Sequence, residues 1–194
     1  IRPIIEQDIP LWVKNTFNPS YPGTRITAAP QSDSGQVTAI STIPNLSMVT
    51  VEGRGMLGVP GIAARTFSAV ARTGASVLMI SQASSEQSIS FVIPTANATD
   101  VIASLETEMS LELTRRDIDR IWSKDDVTIL TVVGAAIRNT PGVAARIFGA
   151  LGKANINVIA IAQGSSEYSI SLVLTDADAE EAMRAIHTEM LVEA

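Results

Sequence analysis

Two serine-rich segments, Ser84-Ser85-Glu86 and Ser165-Ser166-Glu167, are the first places where this sequence could do chemistry. A serine nucleophile needs a base within hydrogen-bond reach, and the one histidine of the chain, His187, has no counterpart in the first half of the sequence. A β-turn that leads into a Ser-Ile-Ser strand explains both segments better. We therefore expect no catalytic residue, and we expect His187 on the surface of a helix.

The loops at 54–61 and 135–142 are candidates for binding a carboxylate. Each contains glycine and proline and precedes a predicted helix, whose free N–H groups and dipole favour an anion at its N-terminus. A tight turn that needs glycine accounts for each loop equally well, so both interpretations stay open. The loops lack the lysine of a phosphate-binding loop, and the acids at 176–181 are expected to start a helix rather than to hold a metal.

Gln82 and Gln163 are candidates for contacting a small polar ligand. Each stands at the end of an apolar segment that is predicted to be a strand. A glutamine amide offers both a donor and an acceptor, so it can bind a polar ligand without requiring a charge. A residue that only satisfies the turn after the strand is the equally good alternative.

The sequence contains an internal duplication, which sets the framework for all of these candidates. Pro60 corresponds to Pro141, so the offset is 141 − 60 = 81 residues. Without any gap, the same offset pairs 58–67 with 139–148, Gln82 with Gln163, 84–90 with 165–171, and 107–109 with 188–190.

We call residues 46–124 copy one and residues 125–194 copy two. The order of apolar runs and of glycine or proline breaks predicts β-α-β-β-α-β in each copy, which is the ferredoxin-like arrangement. The predicted fold class is α+β, with two ferredoxin-like units whose antiparallel sheets carry the helices on one face. The predicted strands are 48–52, 76–81 and 88–93 in copy one and 127–133, 157–162 and 169–174 in copy two, and the predicted helices open at Pro60-Gly61, Ala98, Pro141-Gly142 and Ala179.

The fourth strand distinguishes the two copies. The segment Leu111–Ile121 leaves room for one in copy one, whereas copy two reaches Ala194 too soon. The segment 10–15 contains β-branched and aromatic residues and is predicted to supply the missing strand to copy two. Copy one would then be inserted within copy two. Residues 1–45 are otherwise expected to be a linker, and the sequence is expected to be a fragment of a longer protein, because it opens at Ile1 without a methionine.

The second strands are apolar on both faces, with Val77 and Met79 on one and Leu78 and Ile80 on the other. A single layer of helices covers only one face of a sheet. The bare face is therefore expected to pack against another copy, and the chain is expected to form a homodimer.

Composition excludes several classes of function. The 194 residues are 46% hydrophobic and 18% charged, which is typical of a globular protein with a sizeable core. The net charge of -6 argues against a nucleic-acid partner, because phosphate binding needs clustered lysine and arginine. No apolar run reaches the roughly 18 residues of a membrane span. Cysteine is absent, so a disulfide or a thiolate metal site is excluded, and the cytoplasm is the expected compartment.

The segments Val13–Pro19, Ile80–Phe91 and Asn155–Ser171 carry a resemblance to a known family. The duplicated unit resembles the ACT domain, a regulatory fold of enzymes in amino-acid metabolism. The chain as a whole, from about Ile1 to Met190, is similar to the C-terminal regulatory region of aspartate kinase. The similarity is greatest to the threonine-responsive type, which includes the bifunctional aspartate kinase–homoserine dehydrogenases.

This resemblance implies a parent enzyme that phosphorylates aspartate with ATP and Mg²⁺ and whose kinase domain lies in the same chain. The kinase motif is absent here, so neither kinase activity nor a cofactor is expected in this fragment. The implied role is to bind an end-product amino acid between ACT domains and to mediate feedback inhibition. The implied effector contacts are Met56, Gly58, Val59, Gly61, Ile62, Val77, Leu78, Gln82 and Glu86 in copy one and Gly142, Asn155, Ile156 and Gln163 in copy two.

Threonine is the expected effector, with lysine as the second candidate. The resemblance implies that lysine-sensing relatives carry an acid on the second strand, where this chain has Leu78. An ammonium group left unpaired on a buried apolar strand is costly, whereas a hydroxyl needs only a hydrogen-bond partner. The alternative function is a dimerisation module of the same enzyme that has lost its ligand site.

Overall fold

The computed structural model describes residues 2–7, 9–26, 37–82, 84–134, 137, 140–163 and 168–192. The chain divides into two compact units, residues 1–35 and residues 36–194. Each unit is described by itself.

The N-terminal unit contains one short helix and one hairpin. Helix α1 is Arg2–Glu6, and strand β1, Leu11–Val13, pairs antiparallel with strand β2, Thr24–Ile26. The two strands form a sheet of their own. The prediction that the segment 10–15 supplies the fourth strand of copy two is therefore wrong, because the hydrogen bonds of this segment are made to β2.

The second unit holds both copies and is built on one sheet of six strands. Its strands are β3 (Ala39–Glu52), β4 (Met79–Gln82), β5 (Ser88–Pro94), β6 (Arg120–Val133), β7 (Ala160–Gln163) and β8 (Ser169–Thr175). Its helices are α2 (Ile62–Arg72), α3 (Ala98–Glu108), α4 (Ser110–Arg115), α5 (Val143–Lys153) and α6 (Ala179–His187), and a π-helical turn covers Thr188–Val192. The strand order is β4-β5-β3-β6-β8-β7. Exchanging each strand for its repeat counterpart, β3 for β6, β4 for β7 and β5 for β8, gives the same order read in reverse.

Strands β3 and β6 each belong to both copies. The second half of β3 pairs with β5 of copy one, while its first half, from Ala39 to Ile43, pairs only with β6, opposite Val133 to Ile129. That stretch is the fourth strand of copy two. Copy one is therefore inserted within copy two, as predicted, but through a different segment. The fourth strand of copy one is the first part of β6, which begins at Arg120 after helix α4.

A bulge marks the point where each long strand passes from one copy to the other. Asn45 and Asp126, which are repeat counterparts, have positive φ angles of 61° and 54°. The register between β3 and β6 shifts on both sides of Leu46. A bulge bends a strand and increases its twist, so the six-stranded sheet folds over on itself, and its two edge strands, β4 and β7, come into contact.

Three apolar cores follow from this arrangement. The helices of each copy pack on the outer face of its own part of the sheet. The core of copy one includes Val49, Phe91, Val101 and Leu105, and the core of copy two includes Leu130, Ile147, Leu172 and Ile186. None of the helices in the described ranges is long and apolar enough to cross a membrane.

The third core lies on the faces of the sheet that the helices leave bare. It contains Leu46, Met48, Met79, Val92, Val127, Ile129 and Val173, which come from both copies. The two bare faces therefore cover each other within one chain, so the cover for which the sequence predicted a homodimer is provided by the other half of the same sheet.

Candidate ligand-binding site

The first candidate loop, residues 54–61, lies between β3 and α2 in copy one, and together with Gly53 we call it loop one. A 3₁₀ turn over Arg54–Met56 follows β3, and the N–H of Val59 donates to the carbonyl oxygen of Met56 at 3.1 Å. The N–H of Gly58 donates to Oε2 of Glu86 at 3.2 Å. This bond joins loop one to the turn between β4 and β5, so two of the segments predicted to contact an effector meet in space.

Gly61 ends loop one and sets the start of α2. Its backbone is left-handed, with φ 91° and ψ -7°, and the first helical N–H, that of Arg65, donates to its carbonyl oxygen at 3.0 Å. No side chain caps this helix. The prediction that Pro60 occupies the first turn of the helix is wrong, because the left-handed Gly61 separates Pro60 from the first helical residue, Ile62.

The second candidate loop, residues 135–142, is called loop two, and the same helix start follows it in copy two. Gly142 has φ 91° and ψ -10°, α5 begins at Val143, and the N–H of Arg146 donates to the carbonyl oxygen of Gly142 at 3.0 Å. The positions 135, 136, 138 and 139 of this loop lie outside the described residues. The matched backbone of Gly61 and Gly142 shows that the duplication preserves the conformation as well as the sequence.

The edge strand β4 and the residue before it, Leu78, present exposed apolar and polar side chains. Leu78 and Ile80 are 42% and 50% exposed, and Gln82 is exposed at the end of the strand. Val59 of loop one is also exposed. The predicted contacts that a ligand could reach in copy one are these side chains together with Gly58, Gly61 and Glu86.

The strand β7 is the counterpart of β4 in copy two. Gln163 is exposed at its end and lies opposite Ile170 of β8, as Gln82 lies opposite Ile89 of β5. Both glutamines therefore stand on an edge strand, where their backbone neighbours have an unpaired side. Their role as ligand contacts stays a prediction.

Five of the predicted contacts instead support the framework. Met56 and Ile62 are buried in the core of copy one, Val77 packs against that core, and Ile156 is buried in the core of copy two. Asn155 has a positive φ of 56°, and its N–H donates to the carbonyl oxygen of Gly152. It ends helix α5, as Gly74 ends α2, which confirms the predicted helix ends.

Arg65, for which no role was predicted, joins helix α2 to helices α3 and α4 of copy one. Nε of Arg65 donates to Glu108 Oε1 at 3.0 Å, and its two terminal nitrogens reach the carboxylate of Glu112, one of them at 3.2 Å. Arg72 donates to Glu108 as well, at 2.7 Å. Arg65, on α2, therefore binds the end of α3 and the middle of α4. We call its contacts with Glu108 and Glu112 the Arg65 clamp.

Copy two has the corresponding contact between α5 and the turn after α6. Arg146 donates to the carbonyl oxygen of Glu189, and Lys153 Nζ lies 3.0 Å from Glu189 Oε2. These residues are the repeat counterparts of Arg65, Glu108 and Arg72. Retention of the same charges at the same offset in both copies was the signal in the sequence that could have identified the clamp.

The ion pairs of the two copies shift the pKa values of their carboxylates. The hydrogen bonds from Arg65 hold the pKa of Glu108 and of Glu112 below the usual range, and the same bonds raise the pKa of Arg65. The hydrogen bond from Lys153 holds the pKa of Glu189 below the usual range. All three carboxylates are therefore charged at neutral pH.

A separate polar cavity of about 270 Å³ opens where β3, β5 and β6 meet loop one. It is lined by Glu52, Gly53, Arg54, Ser85, Gln87, Ser88 and Asp119. Its carboxylates already have partners, because Glu52 accepts from Arg120 and Trp122, and Asp119 accepts from the N–H of Arg54. None of the predicted effector contacts lines it. No group of histidine and acidic side chains in the described part of the chain could hold a metal ion.

Comparison with known proteins agrees with this architecture. The family model of the ACT domain matches residues 49–109 and 130–190. The bifunctional aspartokinase/homoserine dehydrogenase of Haemophilus influenzae is 46% identical over 187 residues, which cover 96% of this chain and 23% of that protein. Bifunctional aspartokinase/homoserine dehydrogenase 2 of Zea mays is 43% identical over 99% of this chain and 21% of its own length. The chain thus spans about a fifth of these relatives.

Solved structures show the same fold. The crystal structure of aspartate kinase from Clostridium acetobutylicum superposes with a TM-score of 0.83 and 26% identity, over 98% of this chain and 44% of that one. The regulatory subunit of aspartate kinase from Thermus thermophilus, in a ligand-free form, gives a TM-score of 0.66 and 26% identity over 79% of this chain and 98% of its own. This chain belongs to the ACT domain family, and its two copies correspond to the regulatory region of aspartate kinases and of bifunctional aspartokinase/homoserine dehydrogenases.

Proposed function

We propose that this chain is the amino-acid-binding regulatory module of an aspartate kinase and mediates feedback inhibition by an end product of aspartate-derived biosynthesis. The observation that carries the proposal is the pair of loop ends at Gly61 and Gly142, which have the same left-handed backbone before an uncapped helix. Each is followed by an edge strand that ends in an exposed glutamine. A free α-amino acid offers a carboxylate for such a helix start and a side chain for the strand.

Threonine is the effector that we propose first. Leu78 directly precedes β4, which carries Ile80 and Gln82, and this combination of apolar surface and amide suits a short side chain with a methyl group and a hydroxyl. Lysine is the second candidate, because the carboxylate of Glu86 reaches loop one. An ammonium group near Glu86 would compete with the N–H of Gly58 for that carboxylate.

Calorimetric titration of the chain with threonine, lysine and methionine tests the assignment. We expect saturable heat with threonine and a rise in the thermal unfolding temperature, because a ligand that binds only the folded state stabilises it. Methionine, which lacks both the hydroxyl and the second charge, serves as the control. If lysine binds and threonine does not, the effector assignment is wrong. If no amino acid of the panel binds, the alternative of a dimerisation module is favoured.

We also propose that the chain forms a homodimer and works with a kinase domain of the same polypeptide that uses ATP and Mg²⁺. Four large apolar side chains of copy one, Leu57, Val59, Leu78 and Ile80, are exposed, and exposed apolar side chains support self-association. Light scattering across micromolar concentrations checks it. A mass of one chain throughout that range would contradict the dimer.

A further inference from the structure

Arg65 joins the start of helix α2 to helices α3 and α4, and α4 is followed by strand β6. It lies one turn after Gly61, where loop one ends. Its contact with Glu112 is bidentate, since each terminal nitrogen reaches a different carboxylate oxygen. Such a planar pair has a narrow range of geometry. A displacement of the start of α2 is therefore passed to α4 rather than absorbed by the side chains.

The chain between α4 and β6 is held tightly. The N–H groups of Asp117 and Ile118 both donate to the carbonyl oxygen of Glu112, at 2.9 and 3.3 Å. Ile118 is buried in the core of copy one. Gly53 of loop one packs closely against the same backbone, because a Cβ on this residue would lie only 2.3 Å from the carbonyl oxygen of Asp117. A movement of α4 must therefore reach β6, whose first residue is Arg120.

Strand β6 carries that movement to the other copy. From Arg120 to Lys124 it pairs with the copy-one half of β3, and from Val127 to Val133 it pairs with β8 of copy two. Trp122 stands near its beginning, where the indole N–H donates to Glu52 at 3.1 Å and Arg120 lies over the ring.

We propose that Arg65 is the positioning residue through which occupancy of loop one by an amino acid shifts the shared strand β6. The inference rests on the proposed function, because it requires an amino acid to bind at loop one. The bound ligand favours one position of the start of α2. Because the Arg65 clamp joins α2 to α4, and α4 leads into β6, that position of α2 in turn favours one position of β6. Coupling of this kind needs an element with two arrangements that both sites bias.

Arg146 provides a matched control. It forms the corresponding contact in copy two, but the turn that it contacts, at Glu189, follows α6, and the fourth strand of copy two comes from another part of the chain. The shared strand of copy two, Ala39–Ile43, precedes copy one in the chain. Loss of Arg146 should therefore loosen copy two without disturbing the start of β6.

Fluorescence of Trp122 measures the coupling directly. The chain has two tryptophans, and Trp12→Phe leaves Trp122 alone, beside the start of β6. In this background we expect threonine to change the emission of Trp122 in step with the calorimetric binding curve. Arg65→Gln should abolish that change while altering threonine affinity by less than about fivefold, since a partly exposed ion pair contributes little to binding by itself. Arg146→Gln should keep the change.

Glu112→Gln provides a second variant that retains the Arg65–Glu108 contact, should Arg65→Gln fail to fold by circular dichroism. It should also lose the Trp122 response. A full change of Trp122 emission in either folded variant overturns the role of Arg65, and so does binding of threonine without any change of emission in the Trp12→Phe background. Either result leaves the proposed function standing. Absence of binding heat for threonine and lysine in the parent overturns the proposed function, and this inference with it.

Discussion

Replacing Gly61 with alanine should destabilise this protein although the added methyl group would touch nothing. A Cβ built at Gly61 has no heavy atom within 4 Å, so steric overlap contributes no cost. The backbone φ of 91° is the whole cause, because L-residues rarely adopt it. The expected loss in the free energy of unfolding is about 1–2 kcal/mol. For a unit of this size that lowers the unfolding temperature by roughly 2–4 °C per kcal/mol.

Two other glycines make the test sharper, because each isolates a different cause. Gly53 has an extended φ of 179°, but its Cβ would lie 2.3 Å from the backbone of Asp117. Gly53→Ala should therefore cost about 1–3 kcal/mol or more through overlap alone. Gly149 lies within α5 with open space around its Cβ. Gly149→Ala should stabilise the protein by about 0.5–1 kcal/mol, because alanine loses less backbone entropy in a helix.

The assay is urea unfolding monitored by circular dichroism for the three variants and the parent, with the dependence of free energy on urea concentration compared for each. Equal slopes permit the midpoints to be read as stabilities. The reasoning is refuted if Gly61→Ala and Gly149→Ala change stability in the same direction. Gly142→Ala should reproduce the loss at Gly61, since its φ is also 91° and its Cβ also meets nothing.

The remaining predictions concern charge, ligand contact and assembly. Arg65 lowers the pKa of Glu108 and Glu112 in the folded chain, so the stability that the two carboxylates contribute is complete above their ordinary pKa of 4.5 and is lost as the pH falls through the lowered pKa values. In acid unfolding, the double variant Glu108→Gln, Glu112→Gln should therefore show a smaller dependence of stability on pH in that range. Gln82→Ala and Gln163→Ala should each weaken threonine binding by about 1–3 kcal/mol in calorimetry, and unchanged affinity in both would make them structural. Ile80→Asp should reduce the light-scattering mass to that of one chain, whereas a persistent dimer would place the interface elsewhere.

The duplication made most of the elements predictable, because any assignment in one copy could be checked in the other. Both helix pairs and the third strands lie close to where the sequence places them. The second strands begin three residues later than predicted, at Met79 and Ala160. Each is an edge strand with a single partner, so its first residues lack the continuous ladder that the apolar pattern suggests.

The long strands β3 and β6 could not be predicted from local pattern. Pro44-Asn45 and Asp125-Asp126 have the composition of strand ends, and the predicted strands accordingly begin after them. In the structure these residues form bulges within strands that continue in both directions. Only the pairing of Ala39–Ile43 with a strand far along the chain makes that continuation favourable, and pairing between distant segments leaves no periodic signal in the sequence.

The exchange of strands between the copies determines the order in which this protein can fold. Ala39 emerges from the ribosome long before its partner Val133, so the sheet of copy two cannot be completed until the whole of copy one has been synthesised. Pairing between such distant segments slows folding and leaves Ala39–Ile43 without a partner strand in the meantime. Copy one has all of its strands within the predicted borders 46–124, whereas copy two, predicted as 125–194, needs residues 39–43 as its fourth strand. Truncation at residue 45 would therefore remove the edge strand Ala39–Ile43 from copy two and leave its neighbour β6 unpaired on that side, rather than trim a linker.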